Sequence, residues 1–364
     1  MSSTAQSIRV SLSERSYFIE IGSGTLTDLG RFVTQTTSCV HAMLLADERV
    51  ENPHAQSAAK SLSDAGLSVD VILVESGEES KSIEMAEQLW NVMLDRGADR
   101  KSVVVAVGGG VIGDLAGFVA ATFARGLDFF QVPTTLLAAV DSSVGGKVGI
   151  NLPDAKNMVG AFWQPRGVLI DTETLKTLPD REYISGLAEV VKYGVILDEA
   201  FFAYLEENAE KILLRDPLVL GEVIRRSCEL KAQVVEKDER ETSGLRAVLN
   251  YGHTFGHALE AIAGYGEYLH GEAVSIGMEC AARLAIRLGR VDVEFGRRQT
   301  LLLQRFRLPT KMPRLDPEKF FTAMMKDKKV EKRELRFVLP TRLGHVELVR
   351  GVSRDEAQAA LTEA

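Results

Sequence analysis

Two stretches near the start of the chain, SIRVSL (7–12) and YFIEIG (17–22), alternate apolar and polar residues and predict an antiparallel hairpin. Short β-rich apolar runs follow: HAMLLAD (41–47), VDVILV (69–74), SVVVAV (102–107), FFQVPT (129–134) and GVLID (167–171). Between them, SIEMAEQLWNVMLDRG (82–97) and DLAGFVAATFARG (114–126) carry a helical pattern. Strands alternating with helices predict a doubly wound, mostly parallel α/β sheet with helices on both faces. The pattern changes after TETLKTLPDREY (172–183), where Pro179 and its charged neighbours mark a boundary. Beyond it the chain reads helix after helix, and only RFVLP (336–340) and HVELV (345–349) look like strands, forming one small hairpin. The expected organisation is an α/β domain over 1–178 and a mainly α-helical domain over 179–364, with no internal repeat.

Bulk properties narrow the class. The 364 residues are 45% hydrophobic and 26% charged, an ordinary balance for a globular enzyme. A net charge of −8 argues against nucleic acid or an anionic membrane as partner. Cys39, Cys228 and Cys280 form no CxxC pair, which points to reduced thiols and a cytoplasmic setting. The opening MSSTAQSIRVSL lacks the apolar stretch of a signal peptide, and no run reaches transmembrane length.

Four segments carry candidate chemistry. In VVVAVGGGVIGDLAGF (103–118), Gly108, Gly110 and Gly113 satisfy G-x-G-x-x-G where a buried strand runs into a helix, a Rossmann-like dinucleotide turn. The strand is not the first of the sheet, however, and no acid ends the following strand, since Asp128 precedes FFQVP. A tight strand–helix turn without ligand is the plain alternative. DSSVGGKVGINLPDAKN (141–157) offers glycine amides with Lys147 and Lys156, but it is no Walker A loop and reads equally as a flexible glycine loop with solvated lysines. SGLAEVVKYGVIL (185–197) sets Glu189 in an apolar helix with Lys192 at i+3, commonly a surface salt bridge. LNYGHTFGHALE (249–260) puts His253 and His257 on one helix face, and with His270 the window holds three of the six histidines. Core imidazoles satisfied by hydrogen bonds would explain them, but together with Glu189 they make an N/N/O set suited to Zn²⁺. HTFGH is not HExxH, so a zinc-protease site finds no support.

The segments GGGVIGDLAGFVAATFARG, VPTTLLAAVDSSVGGKVGIN, KNMVGAFWQP, GLAEVVKYG, LNYGHTFGHALE and HGEAVSIGM occur in one order and at family spacing. From about residue 8 to 350 the chain resembles the 3-dehydroquinate synthase family of sugar phosphate cyclases. That resemblance implies NAD and one Zn²⁺ or Co²⁺ per subunit, with Glu189, His253 and His270 as metal ligands and His257 facing substrate. It assigns NAD to Asp47, Glu78, Lys81, the turn Gly110, Val111, Ile112, Gly113 and Asp114, and Thr134 and Thr135. Lys147, Lys156 and the segment Thr174, Leu175, Lys176 and Thr177 complete that set. Substrate is implied at Arg125, Lys147, Asn157, Lys231, Arg246 and Lys328, and catalytic roles at Asp141, Lys147, Lys192, Asn250 and His257.

The implied reaction converts 3-deoxy-D-arabino-heptulosonate 7-phosphate to 3-dehydroquinate and phosphate. It runs through transient oxidation, phosphate elimination, re-reduction and intramolecular aldol closure, a step of the shikimate pathway. A homodimer is implied, with Arg125 reaching the neighbouring subunit's phosphate site. Another sugar phosphate cyclase, a metal-dependent glycerol-type dehydrogenase and a non-enzymatic nucleotide-binding module are the alternatives. The first would act on a neutral sugar phosphate, the second would not need the phosphate-binding lysines, and the third would need no metal helix.

Overall fold

The structure is a computed structural model of the chain, and it describes residues 6–153, 155–264, 266–326 and 335–361. Two compact units divide the chain: residues 1–178 with 220–240, and residues 179–219 with 241–364.

The first unit contains β1 (Gln6–Val10), β2 (Tyr17–Gly22), β3 (His41–Asp47), β4 (Ser68–Val74), β5 (Ser102–Gly108) and β6 (Asp128–Pro133). A hairpin of β7 (Lys147–Leu152) and β8 (Ala155–Phe162) follows, then β9 (Gly167–Asp171). Its helices include α1 (Leu29–Thr36), α2 (Gln56–Asp64), α3 (Ile83–Asp95) and α4 (Gly110–Thr122). Seven strands form one sheet in the order β1-β2-β9-β6-β5-β3-β4. Only β1 runs antiparallel, paired with β2 as the expected hairpin. All seven residues of β5 are buried, as a strand covered on both faces requires.

Alternate residues feed two cores. Met43, Leu45, Val104 and Ala106 point to the layer of Leu89, Ile112, Leu115 and Val119 on α3 and α4. Leu44, Ala46, Val103 and Val105 point to Leu29, Val33, Ala58 and Leu62 on α1 and α2.

The flexible-loop reading of 141–157 gives way to structure. β7 and β8 pair antiparallel, and Val148 and Ile150 belong to the core beneath α4. Gly149 and Gly160 face each other so closely that a Cβ on Gly160 would stand 2.2 Å from the Val148 carbonyl oxygen. Glycines at these positions leave the alternation without a side-chain signal, so the strand did not register in the pattern.

The second unit begins with α5 (Asp180–Leu197), α6 (Glu199–Leu213) and the first residues of α7 (Pro217–Lys237), whose remainder belongs to the first unit. It resumes with α8 (His253–Ala263), α9 (His270–Arg287), α10 (Val293–Arg305), α11 (Pro317–Lys326) and α12 (Arg354–Ala359). The pair β10 (Phe337–Arg342) and β11 (His345–Val349) forms an antiparallel hairpin. Helix α9 is buried along most of its length and packs against α5, α8 and α10. Among the described residues, no helix is long and apolar enough to cross a membrane.

Candidate active site

Three helices of the second unit deliver the acid and the two histidines. Glu189 lies in the middle of α5, and His253 and His270 are the first residues of α8 and α9. Their ligand atoms lie within 4.8 Å of one another. Glu189 is wholly buried, and its Oε1 stands 3.6 Å from His253 Nε2 and 3.8 Å from His270 Nε2. Both distances are too long for hydrogen bonds, and Oε1 has no hydrogen-bond partner. A buried carboxylate oxygen left bare is costly. Two ligands sharing a tetrahedral ion at about 2.1 Å stand roughly 3.4 Å apart, close to what is seen. The donor set fits one divalent cation.

The surrounding contacts orient these donors. The Tyr251 carbonyl lies 3.1 Å from His253 Nδ1, so Nδ1 carries the proton and the unprotonated Nε2 is the ligand atom on the Glu189 side. Lys192 Nζ donates to the other oxygen, Glu189 Oε2. With Lys192 only 2% exposed, the i, i+3 pair is an interior one and not a surface bridge. His257 sits on the same helix face, its ring centroid 5.4 Å from that of His253 and 6.2 Å from that of His270. Glu260, three residues further along α8, stands with Oε1 3.7 Å from His270 Nδ1 and forms a second donor group with His257 and His270. The sequence reading passed over Glu260, although its place one turn beyond His257 was the available signal.

A glycine sets how close these helices come. Gly271 follows His270, its amide donating to Ser185 Oγ at 3.0 Å, and a Cβ there would stand 1.8 Å from the Ser185 carbonyl oxygen. Ser185 lies one turn before Glu189, so this contact holds α9 against α5 at the ligands. Gly271→Ala is therefore expected to separate His270 from Glu189, costing about 1–3 kcal/mol or more through overpacking. Thermal melting and bound-metal content measure it, and a variant with unchanged metal content would contradict the account.

The glycine turn joins β5 to α4 in the first unit, with Gly109 at the helix N-cap. A Cβ on Gly110 would stand 3.1 Å from Ser142 Oγ. The hydroxyls of Thr134, Ser142 and Ser143 are buried and have no hydrogen-bond partner. Open glycine backbone, a helix N-terminus and unsatisfied hydroxyls fit a pyrophosphate. Val111 follows Gly110 in the first turn, Ile112 turns into the core, and Thr135 Oγ1 accepts the Ala138 amide.

An acid does end the strand beside β5. β5 pairs with β3, which ends at Asp47, and a Cβ on Gly108 would lie 3.3 Å from Asp47 Cβ. Asp128 is engaged elsewhere, by Arg166 at 2.9 Å and Thr37 at 2.9 Å. Asp114 accepts from Lys81 Nζ at 2.5 Å; burial pushes its carboxyl up, while the Lys81 charge pulls against that. Of the segment 174–177, Leu175 enters the core and Lys176 pairs with Glu173 at 2.7 Å. Thr174 and Thr177 cap the turn through the Asp171 and Thr174 carbonyls.

The substrate candidates divide between the units. In the first, Lys231 Nζ donates to the Asp141 carbonyl at 2.6 Å and carboxylate at 2.7 Å, while Lys147 and Asn157 lie on the hairpin with Lys156. Arg125 is exposed and follows Ala124, both with left-handed backbone, at φ 73° and 49°. In the second, Arg246 is 2% exposed, its Nε 3.7 Å from Glu241 Oε1, and Asn250 ends the same turn. Lys328 lies outside the described residues.

Residues 71–185 match the family model for the 3-dehydroquinate synthase N-terminal region, and residues 186–330 match that for the C-terminal region. The chain is 54% identical to the 3-dehydroquinate synthase of Rhodopirellula baltica over 368 residues, 99% of this chain and 98% of that protein. Among solved structures, a 2-deoxy-scyllo-inosose synthase complexed with carbaglucose-6-phosphate, NAD⁺ and Co²⁺ superposes with a TM-score of 0.89. It is 27% identical and covers 98% of this chain and 99% of its own. The 2-epi-5-epi-valiolone synthase of Streptomyces hygroscopicus, with NAD⁺ and Zn²⁺ bound, gives 0.87 at 26% identity, covering 96% and 97%. With both regions matched in order and half the residues shared along nearly the full length, the chain belongs to the 3-dehydroquinate synthase family.

Proposed function

We propose that one divalent ion, Zn²⁺ or Co²⁺, bound by Glu189, His253 and His270, and an NAD on the glycine turn serve this chain's reaction. As a family member the chain is a carbon–oxygen lyase that converts 3-deoxy-D-arabino-heptulosonate 7-phosphate to 3-dehydroquinate and phosphate. The bare Glu189 Oε1 facing two imidazole nitrogens carries the proposal. The ion and NAD together supply Lewis-acid polarisation of a hydroxyl and a reversible hydride acceptor. The pairs of NAD⁺ with Co²⁺ and NAD⁺ with Zn²⁺ in the solved cyclases support this choice.

The remaining work falls to the chain's own groups. Lys192 neutralises the Glu189 oxygen that the ion does not need. His257, beside the ligand histidines, is assigned a catalytic role facing the substrate. Asn250, at the end of the 245–250 turn, is assigned to hold the substrate beside His257. Lys231 holds Asp141 by two hydrogen bonds, one to its backbone carbonyl and one to its carboxylate. Lys147, Asn157 and Arg125 are assigned to the phosphate, Arg246 to the carboxylate, and Lys328 to the sugar acid. The substrate's phosphate carries much of the proton traffic, and the protein supplies position and electrostatics. Asp47, Glu78, Lys81, Lys156 and the 174–177 turn are assigned to NAD. The expected division at 178/179 is thereby modified: residues 1–178 with 220–240 carry the NAD turn and the substrate candidates Lys147, Asn157 and Lys231, and residues 179–219 with 241–364 carry the metal ligands and Arg246.

We place the enzyme in the cytoplasm as a homodimer. The free thiols of Cys39, Cys228 and Cys280 suit a reducing compartment. Two consecutive non-glycine residues in left-handed backbone at Ala124 and Arg125 are a strain that a shared phosphate site explains.

Incubation with the heptulosonate phosphate and substoichiometric NAD⁺ tests the proposal. Phosphate and dehydroquinate should form over many turnovers without growth of the reduced-nicotinamide absorbance, and activity should follow the dimer on dilution. Steady accumulation of NADH would mark a glycerol-type dehydrogenase instead, and a fully active monomer would remove the shared site. A nucleotide-binding module would show no turnover.

A further inference from the structure

Asn151, on β7, touches residues assigned to both ligands. Its backbone amide donates to the Lys81 carbonyl at 2.7 Å. Its side-chain Nδ2 donates to Glu78 Oε1 at 2.7 Å, and its Oδ1 accepts from the Asn157 backbone amide at 2.9 Å. Lys81 closes the ring by donating to Asn157 Oδ1 and Asp114 Oδ2. Glu78 and Lys81 stand on the turn before α3, and Asn157 stands across the hairpin on β8. Asn157 has a left-handed backbone, φ 54°, a conformation that asparagine adopts more readily than most side chains.

We propose that Asn151 is a positioning residue: its amide locks the cofactor-side turn at Glu78 and the substrate-side Asn157 in one arrangement, so that both subsites are built together. The inference rests on the assignment of Glu78 and Lys81 to NAD and of Asn157 to substrate given above. A primary amide is what this place needs, because its NH₂ and its oxygen serve two partners from one planar group. An aspartate at 151 would keep the acceptor for the Asn157 amide but lose the donor and set a second carboxylate against Glu78. An alanine would lose both. The backbone bond to Lys81 survives in either, so the hairpin keeps its main-chain anchor.

The two variants separate the two arms. In Asn151→Asp the NAD⁺ dissociation constant, measured by calorimetry on the metal-loaded full chain, should rise about tenfold or more, while KM for the heptulosonate phosphate stays within about twofold. In Asn151→Ala both should rise about tenfold at temperatures well below melting. Hairpin glue alone would lower the melting temperature of both variants and leave these constants unmoved. Wild-type NAD⁺ affinity in both variants therefore overturns the inference, as does an equal loss on both arms in Asn151→Asp. A wild-type chain that binds no NAD⁺ would overturn the assignment of the cofactor turn itself, and this inference with it. That result is distinct from wild-type binding that the variants leave unchanged.

Discussion

Glu189→Gln should strip the protein of its divalent ion, abolish turnover and destabilise the fold. The carboxylate does two things at once: Oε1 faces His253 and His270, and Oε2 accepts from Lys192. An amide keeps the shape but removes the negative charge on which both the ion and the ammonium depend. Lys192 is 2% exposed, so water cannot replace its partner. Removing one member of a buried ion pair costs about 3–5 kcal/mol. The companion variant Glu189→Gln/Lys192→Met removes the stranded charge as well, and should recover most of the stability but none of the metal. Metal content by emission spectroscopy and denaturant unfolding read the two effects separately. Full activity in a verified metal-free sample, or wild-type metal affinity in Glu189→Gln, would defeat the assignment. His257→Ala is the control on the neighbouring donor group: it should keep most of the metal and lose activity. If it loses metal as readily as His253→Ala, the division of roles between the two imidazoles is wrong.

Arg246→Met should lower kcat/KM for the heptulosonate phosphate by roughly ten- to a hundredfold, equivalent to about 1.5–3 kcal/mol for one charge-assisted contact. A planar guanidinium grips a carboxylate with two parallel hydrogen bonds, which a methionine of similar reach cannot do. An arginine that is 2% exposed has given up most of its hydration, and Glu241 Oε1 stands 3.7 Å from its Nε. A loop arginine on the surface, the ordinary expectation after DERETSG, would not be sequestered in this way. Arg246 lies outside the metal set and the glycine turn, so metal content and NAD⁺ binding should be unchanged. The wild type should also leave glucose 6-phosphate untouched, since that sugar has no carboxylate to grip. Efficient cyclisation of glucose 6-phosphate, or an unimpaired Arg246→Met, would move the chain to another branch of the cyclases.

The fold is legible in the sequence where the physical signal is local. Parallel strands buried on both faces must be continuously apolar, so β3, β5, β6 and β9 announced themselves, and the helical period announced the second half. The four chemical segments were visible because scarce histidines, a buried acid and clustered glycines are improbable by composition. Their roles came from the resemblance, since spacing along one helix cannot say which imidazole meets an ion.

Other features depend on residues distant in sequence. Asp47 stands beside the glycine turn because β3 is the neighbour of β5, an adjacency set by crossovers that no local pattern records. Residues 220–240 belong with the first unit, although their helical period matches the second half, because a period does not name the core it packs on. The β7–β8 hairpin stayed hidden because its paired glycines replace the side chains that would show alternation. Asn151 gave no sign for a related reason: an asparagine in a glycine-rich segment is ordinary, and only folding brings Glu78, Lys81 and Asn157 around one amide. By itself the sequence determined most of the elements, the fold class and the identity of the reactive groups, because periodicity and side-chain chemistry are properties of short segments. Only the tertiary structure decided which groups share an environment, because burial and hydrogen bonding depend on atoms brought together from distant parts of the chain.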